Sequence, residues 1–180
     1  MLYVNKMCAK STKFIPNAEI DKVKAKKLYD KKSAKPKIEQ YCAYQERSQQ
    51  EVRDKLYDMG LHKADVEELI SELITSNFLN EERFARSYAR GKFRIKHWGR
   101  IKIKQQLKLK KVSEYCIKKA MLEIEPDEYE QCIFKLLEKK KSELQKKEKN
   151  AYILNQKTMK YLMSRGFEPD IVQSLMKSEL

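Results

Sequence analysis

Glycine and proline are scarce in this 180-residue chain, four of each, and no stretch alternates β-branched with polar residues. With so few breakers and no period-two pattern there is little room for strands, so the fold expected is all-α. Cysteine is equally thin. Cys8, Cys42, Cys116 and Cys132 form no C-x-x-C pair, and only His62 and His97 could join them as ligands. That is not zinc spacing, and no metal is expected. Three of the cysteines fall within apolar helical patterns and read as buried free thiols, in keeping with a reducing compartment. No apolar run approaches the roughly 18 residues of a membrane span, and the start MLYVNKMCAKSTKF lacks the long apolar stretch of a secretory signal. A cytoplasmic location without a membrane partner is expected. The constellations of catalysis are missing too: there is no glycine-rich phosphate loop, no paired-histidine motif and no nucleophile beside a base. The expectation is therefore no enzyme, no catalytic residue and no cofactor.

What the chain does have is positive charge. Forty Lys and Arg against twenty-six Asp and Glu give a formal net charge of +14, a surplus that suits polyanions, chiefly nucleic acid or an anionic membrane. It is unevenly spread. Residues 1–37 carry eleven basic and three acidic residues together with Pro16 and Pro36, and read as a basic N-terminal arm, possible disorder included. From Ile38 to Glu82 the balance is acidic, four against eleven. From Arg83 to Lys111 there are twelve Lys/Arg and no Asp/Glu, and the remainder is nearly balanced at thirteen against twelve.

The clearest helix start is Ser48-Gln49-Gln50-Glu51, a capping box, and that helix ends at Gly60, where a left-handed cap favours a residue without a β-carbon. The segment recurs. Leu56, Gly60, Leu61, Val66, Leu69 and Ile70 correspond to Leu107, Lys111, Val112, Ile117, Ala120 and Met121 at a shift of fifty-one. They correspond to Leu162, Gly166, Phe167, Val172, Leu175 and Met176 at a shift of 106. Each copy follows another helical stretch, with starts at Asn80-Glu81-Glu82 and Pro126-Asp127 for the second and third. The expectation is three tandem three-helix repeats, over 38–80, 81–125 and 126–180, in an elongated, curved body. At Lys111 either the turn differs or a lysine takes a left-handed conformation at about 1 kcal/mol.

The run Asn80-Glu81-Glu82-Arg83-Phe84-Ala85-Arg86-Ser87-Tyr88-Ala89-Arg90 resembles the middle-repeat opening of the RecX family of regulatory proteins. Ser48 to Leu56, Arg100-Ile101 with Gln106-Leu107, and Arg165-Gly166-Phe167 are similar to further family segments in register, so the resemblance covers about residues 38 to 180. It implies a three-repeat helical modulator that binds the RecA recombinase and its filament on DNA, usually inhibiting strand exchange and the linked ATP hydrolysis and coprotease activities. By the same resemblance the process regulated is recombinational DNA repair.

Helical spacing sorts the basic block into faces. Phe84, Tyr88, Gly91 and Ile95 are expected on the apolar side, with Arg83, Arg86, Arg90 and Arg94 opposite. Arg100, Lys104, Lys108 and Lys111 form a second ridge, beside Lys96 in the intervening loop. The expected partners of this patch are a RecA-type nucleoprotein filament and single- or double-stranded DNA, and arginine's planar fork equally suits acidic groups of a protein. A solvated helix face is the plain alternative. Trp98 either stacks on a base or packs between helices. His97 has no cysteine or carboxylate beside it in sequence. Tyr41, Tyr44, Tyr57, Tyr115, Tyr129, Tyr152 and Tyr161 are expected in the core, and the chain is expected to be a monomer. A nucleic-acid-binding module that acts without a recombinase is the second functional reading.

Overall fold

The computed structural model describes residues 28–178, and among them lie nine helices and no strand. They fall into three consecutive trios: α1 (Lys31–Tyr44), α2 (Gln49–Asp58) and α3 (Lys63–Thr75); α4 (Glu81–Lys96), α5 (Arg100–Leu109) and α6 (Glu114–Met121); α7 (Pro126–Gln145), α8 (Ala151–Ser164) and α9 (Pro169–Ser178).

The repeat is written in its turns. After the second helix of each trio, Gly60, Lys111 and Gly166 all adopt positive φ, at 89°, 57° and 86°. The next residue reaches back five positions in every copy: Leu61 N–H to the Leu56 carbonyl at 3.3 Å, Val112 to Leu107 at 3.1 Å, Phe167 to Leu162 at 3.3 Å. Gly60, Lys111 and Gly166 themselves donate to the carbonyls of Tyr57, Lys108 and Met163. This paired bonding is the Schellman motif, which satisfies carbonyls that the helix end leaves open. Lys111 therefore keeps the turn and takes the left-handed conformation.

Starts are local as well. Ser48 and Glu51 form the reciprocal capping box, Asn80 accepts from Arg83 N–H at 2.9 Å, Ser113 caps α6, and Pro126 occupies the first turn of α7. Helix α1 begins at Lys31, ahead of Ile38 and with Pro36 inside it, capped by Asp30. Burial of Ala34, Ile38 and Cys42 anchors that helix, and Lys31 and Lys35 pair with Glu72 of α3 at 3.1 and 2.6 Å. The last part of the basic segment thus packs on the acidic first repeat, while residues 1–27, with Cys8, lie outside the described residues.

Two cores result. One joins Ala34, Ile38, Val52, Leu56, Val66, Leu69 and their neighbours within the first repeat; the other runs without a break from Phe84 through Tyr129 and Ile133 to Phe167 and Val172. The second and third repeats share one interior, and the first has its own.

Three sequence-based expectations need correction or refinement. Of the seven core tyrosines only Tyr129 is buried, Tyr41 and Tyr161 are half-buried, and Tyr44, Tyr57, Tyr115 and Tyr152 are exposed. The exposed four sit in the first or last turn of their helices. On α4 the buried face is Phe84, Ala85, Ala89 and Phe93, whereas Tyr88 is half-buried, Gly91 has open space around its α-carbon and Ile95 is exposed. Helix α4 packs chiefly on α6, and the small buried residues Ala85 and Ala89 on the one and Ala120 on the other suit a close approach of the two. Cys42 and Cys116 are buried free thiols, the former pushed up to about 11 by burial, while Cys132 is half-buried.

Candidate functional site

The second repeat holds every predicted site residue, but the fold treats them differently. Arg83, at the first turn of α4, donates from Nε to Glu46 at 2.6 Å and from its two terminal nitrogens to the side chain and carbonyl of Asn77 at 3.1 and 3.0 Å. It ties the first repeat to the second. Arg86 donates to Glu82 at 2.8 Å and to Glu123 at 2.7 Å, and these bonds, Glu123 first, raise its already high pKa. Arg90 lies 3.5 Å from the second oxygen of Glu123, and Arg94 lies 3.3 Å from Glu128 at the start of α7. Arg86, Arg90 and Arg94 therefore face the α6–α7 turn, and the whole stripe is partly neutralised by carboxylates from outside the basic block. Arg90 and Arg94 remain half-exposed, at 51% and 53%.

Arg100 leaves the surface ridge altogether. Its guanidinium covers the Tyr129 ring at 4.1 Å and donates to the Ile124 carbonyl at 3.2 Å. On α5, Lys108 meets Glu114 at 2.6 Å, which lowers the pKa of that carboxyl, while Lys104 is exposed and makes no ion pair among the described residues. Lys104 and Lys108 line a groove between α5 and α6 with Ile101, Ile117, Lys118 and Met121. Lys96, at the end of α4, is exposed with its ammonium unpaired among the described residues, and Lys111 is exposed at its turn.

Trp98 occupies the α4–α5 turn. The turn is held against the one between α8 and α9: Gly99 N–H donates to the Arg165 carbonyl at 2.9 Å, Ile101 N–H to the Gly166 carbonyl at 3.0 Å, and Arg165 to the Lys96 carbonyl at 2.9 Å. A β-carbon at Gly99 would stand 2.1 Å from the Gly166 oxygen, so the two backbones touch. Beneath them Tyr129 accepts from Arg100 N–H at 3.0 Å and donates to Glu168. Burial first, and that second bond next, push the phenol well above the usual tyrosine range. The indole is half-buried against the core, so packing accounts for part of it. Two ammonium groups stand over its ring, Lys92 at 5.2 Å and Lys102 at 4.8 Å. Neither lysine is a residue that spacing singled out, because ring and cations come from three separate elements.

His97 takes a left-handed conformation that caps α4, and its Nδ1 lies 3.7 Å from the half-buried Cys132 Sγ, a neighbour supplied by α7. Among the described residues no three potential ligands gather into a metal site, and no helix is long and apolar enough to cross a membrane.

Fold and surface together define a tandem three-helix-repeat protein whose middle repeat is basic. Family models for RecX match all three trios: the first three-helix domain over residues 34–73, the second over 80–121 and the third over 127–176. The chain belongs to the RecX family. It is 35% identical over 131 residues to Regulatory protein RecX of Clostridium perfringens (strain 13 / Type A), which is 73% of this chain and 61% of that protein. To Regulatory protein RecX of Bacillus cytotoxicus it is 30% identical over 159 residues, 86% of this chain and 58% of that one. The chain thus spans about three-fifths of the length of these relatives. The crystal structure of RecX from Lactobacillus salivarius superposes with a TM-score of 0.73 at 23% identity, covering 82% of this chain and 95% of the other, a likeness of fold.

Proposed function

We propose that this chain is a non-enzymatic regulator that binds a RecA-type recombinase on DNA and restrains its ATP hydrolysis, strand exchange and coprotease activity, so regulating recombinational repair in the cytoplasm. The observation that carries the reading is three RecX-family domains in order along one chain, with relatives named as regulatory proteins. The charge of the middle repeat supports it, since a filament offers both phosphates and acidic side chains. Within that reading, Lys96, Lys104, Arg90 and Arg94 are the contact candidates that keep exposed charge, Lys108 contributes beside Glu114, and Arg83, Arg86 and Arg100 act mainly by shaping the surface.

The test is RecA ATP hydrolysis on single-stranded DNA with this protein titrated in at substoichiometric ratios. Expected is progressive inhibition, weakened by Lys96→Glu with Lys104→Glu, both at exposed positions without an ion partner. Unchanged hydrolysis at all ratios overturns the proposal. The second reading, a nucleic-acid module that needs no recombinase, is favoured by the same excess of charge. It requires tight, salt-sensitive binding to bare DNA with no effect on the recombinase.

A further inference from the structure

Around Trp98 the electrostatics invert. Whereas Arg83, Arg86, Arg90 and Arg94 each have a carboxylate, Lys92, Lys102 and Arg165 make no ion pair among the described residues and stand over aromatic faces, Lys102 and Arg165 also donating to the carbonyls of Ser164 and Lys96. Lys92 stands 5.1 Å from the Tyr88 centroid and 5.2 Å from that of Trp98, Lys102 stands 4.8 Å from Trp98, and Arg165 stands 5.1 Å from Tyr161. The rings lie on α4, on the α4–α5 turn and on α8, each with at least one cation over it. We propose that Tyr88, Trp98 and Tyr161, with Lys92, Lys102 and Arg165 between them, form a track for single-stranded nucleic acid across the junction of the second and third repeats. The inference rests on the reading that the chain works at a nucleoprotein complex, and it names the strand that this surface receives.

The chemistry selects that ligand. Lys92 and Lys102, held over the one indole ring without an ion pair, repel each other, and a polyanion relieves the repulsion. An acidic peptide would meet the charge but not the rings. A duplex keeps its bases stacked on each other and offers phosphates alone, whereas a single strand presents base faces to the aromatics and phosphates to the ammonium groups at once. On binding, a base takes the place of Lys92 or Lys102 over the indole, and the displaced ammonium turns to the adjoining phosphate. The platform is built in advance: Trp98 N–H donates to the Lys92 carbonyl at 3.2 Å, and the flanking Gly99 is locked to Arg165.

Trp98 is the only tryptophan of the chain, so its fluorescence reports on the track directly. Full-length protein without recombinase is titrated with a short oligo(dT) at two salt concentrations, with anisotropy of a labelled oligomer read in parallel. Quenching that follows binding, weakening with salt and poorly competed by duplex of equal charge, is expected. Lys92→Gln with Lys102→Gln should weaken binding about tenfold or more and Trp98→Ser similarly. Lys63→Gln, at an exposed position of α3 in the first repeat, should change it little. If Trp98→Ser fails to fold, the lysine pair still decides. Binding without quenching, equal competition by duplex or polyglutamate, or no binding at low salt overturns the track. Because no recombinase is present, that failure is separate from failure of the ATPase test.

Discussion

Lys111 illustrates how a single residue departs from its own repeat without breaking it. Its counterparts are Gly60 and Gly166, all three share the left-handed turn, and the lysine is exposed there with φ of 57°. A side chain in this region costs about 1 kcal/mol relative to glycine. Lys111→Gly is therefore expected to raise stability by about that much, read as a higher denaturation midpoint at unchanged slope; an unchanged or lower midpoint would show that the lysine has a compensating contact. Gly99 is the opposite case. Its φ of −75° is open to any residue, yet a β-carbon would collide with Gly166 and Phe167 backbone atoms at 2.1 to 2.3 Å. Gly99→Ala should destabilise by about 1–3 kcal/mol through overpacking, with the loss confined to the transition in which the second and third repeats unfold.

At the scale of elements, the RecX-like motifs turn out to be joinery. In the run from Asn80 to Arg90, Asn80 caps α4, Glu81 accepts from the Ser113 hydroxyl at 2.7 Å at the start of α6, Arg83 reaches Glu46, and Arg86 reaches Glu123. Arg165-Gly166-Phe167 supplies a backbone clasp for the α4–α5 turn and one wall of the Tyr129 site, the two rings 5.4 Å apart. These motifs were legible as strings before their purpose was. Spacing along α4 located Arg83, Arg86, Arg90 and Arg94 on one stripe, but apart from Glu82 beside Arg86 their carboxylates lie 33 to 37 residues away in the chain. The apparent absence of acids from the block therefore overstated its free charge. The Lys92–Trp98–Lys102 cluster escaped notice for a related reason: helical periodicity compares residues within one helix, and this cluster spans two helices and a turn.

On the scale of the whole molecule, two separate interiors meet at polar contacts. Arg83 with Glu46, and Lys110 with Glu51 at 2.7 Å, join the first repeat to the second. Burial of Glu51 works against its charge, yet the bonds from Lys110 and from Ser48 N–H outweigh it and hold the carboxyl below the usual glutamate range. Partly exposed pairs of this kind contribute about 0–1 kcal/mol each and weaken as the Debye length falls to about 3 Å at 1 M salt. Small-angle scattering, or energy transfer between labels on α3 and α7, should therefore show the first repeat changing its placement at high salt or in Glu46→Gln with Glu51→Gln, while helix content stays constant. An inter-label distance insensitive to both would mean that the joint is held by something other than these pairs.

Helix class, the capping box at Ser48 and the left-handed turn at Gly60 could be read from residue order, because each depends on neighbours within about five positions, where chain connectivity already holds the partners together; the repeat register came from matching such segments along the chain, and at Lys111 residue order left two conformations open. That range also covers the family motifs. Contacts between distant segments lay beyond it: which arginines acquire carboxylates, which tyrosines are left exposed, how the second and third repeats merge into one core, and how Trp98 comes to lie beneath two lysines. Those outcomes follow from the packing of α4 against α6 and of one turn against another, and packing geometry is a property of surfaces brought together in space, where local periodicity carries no information about the partner.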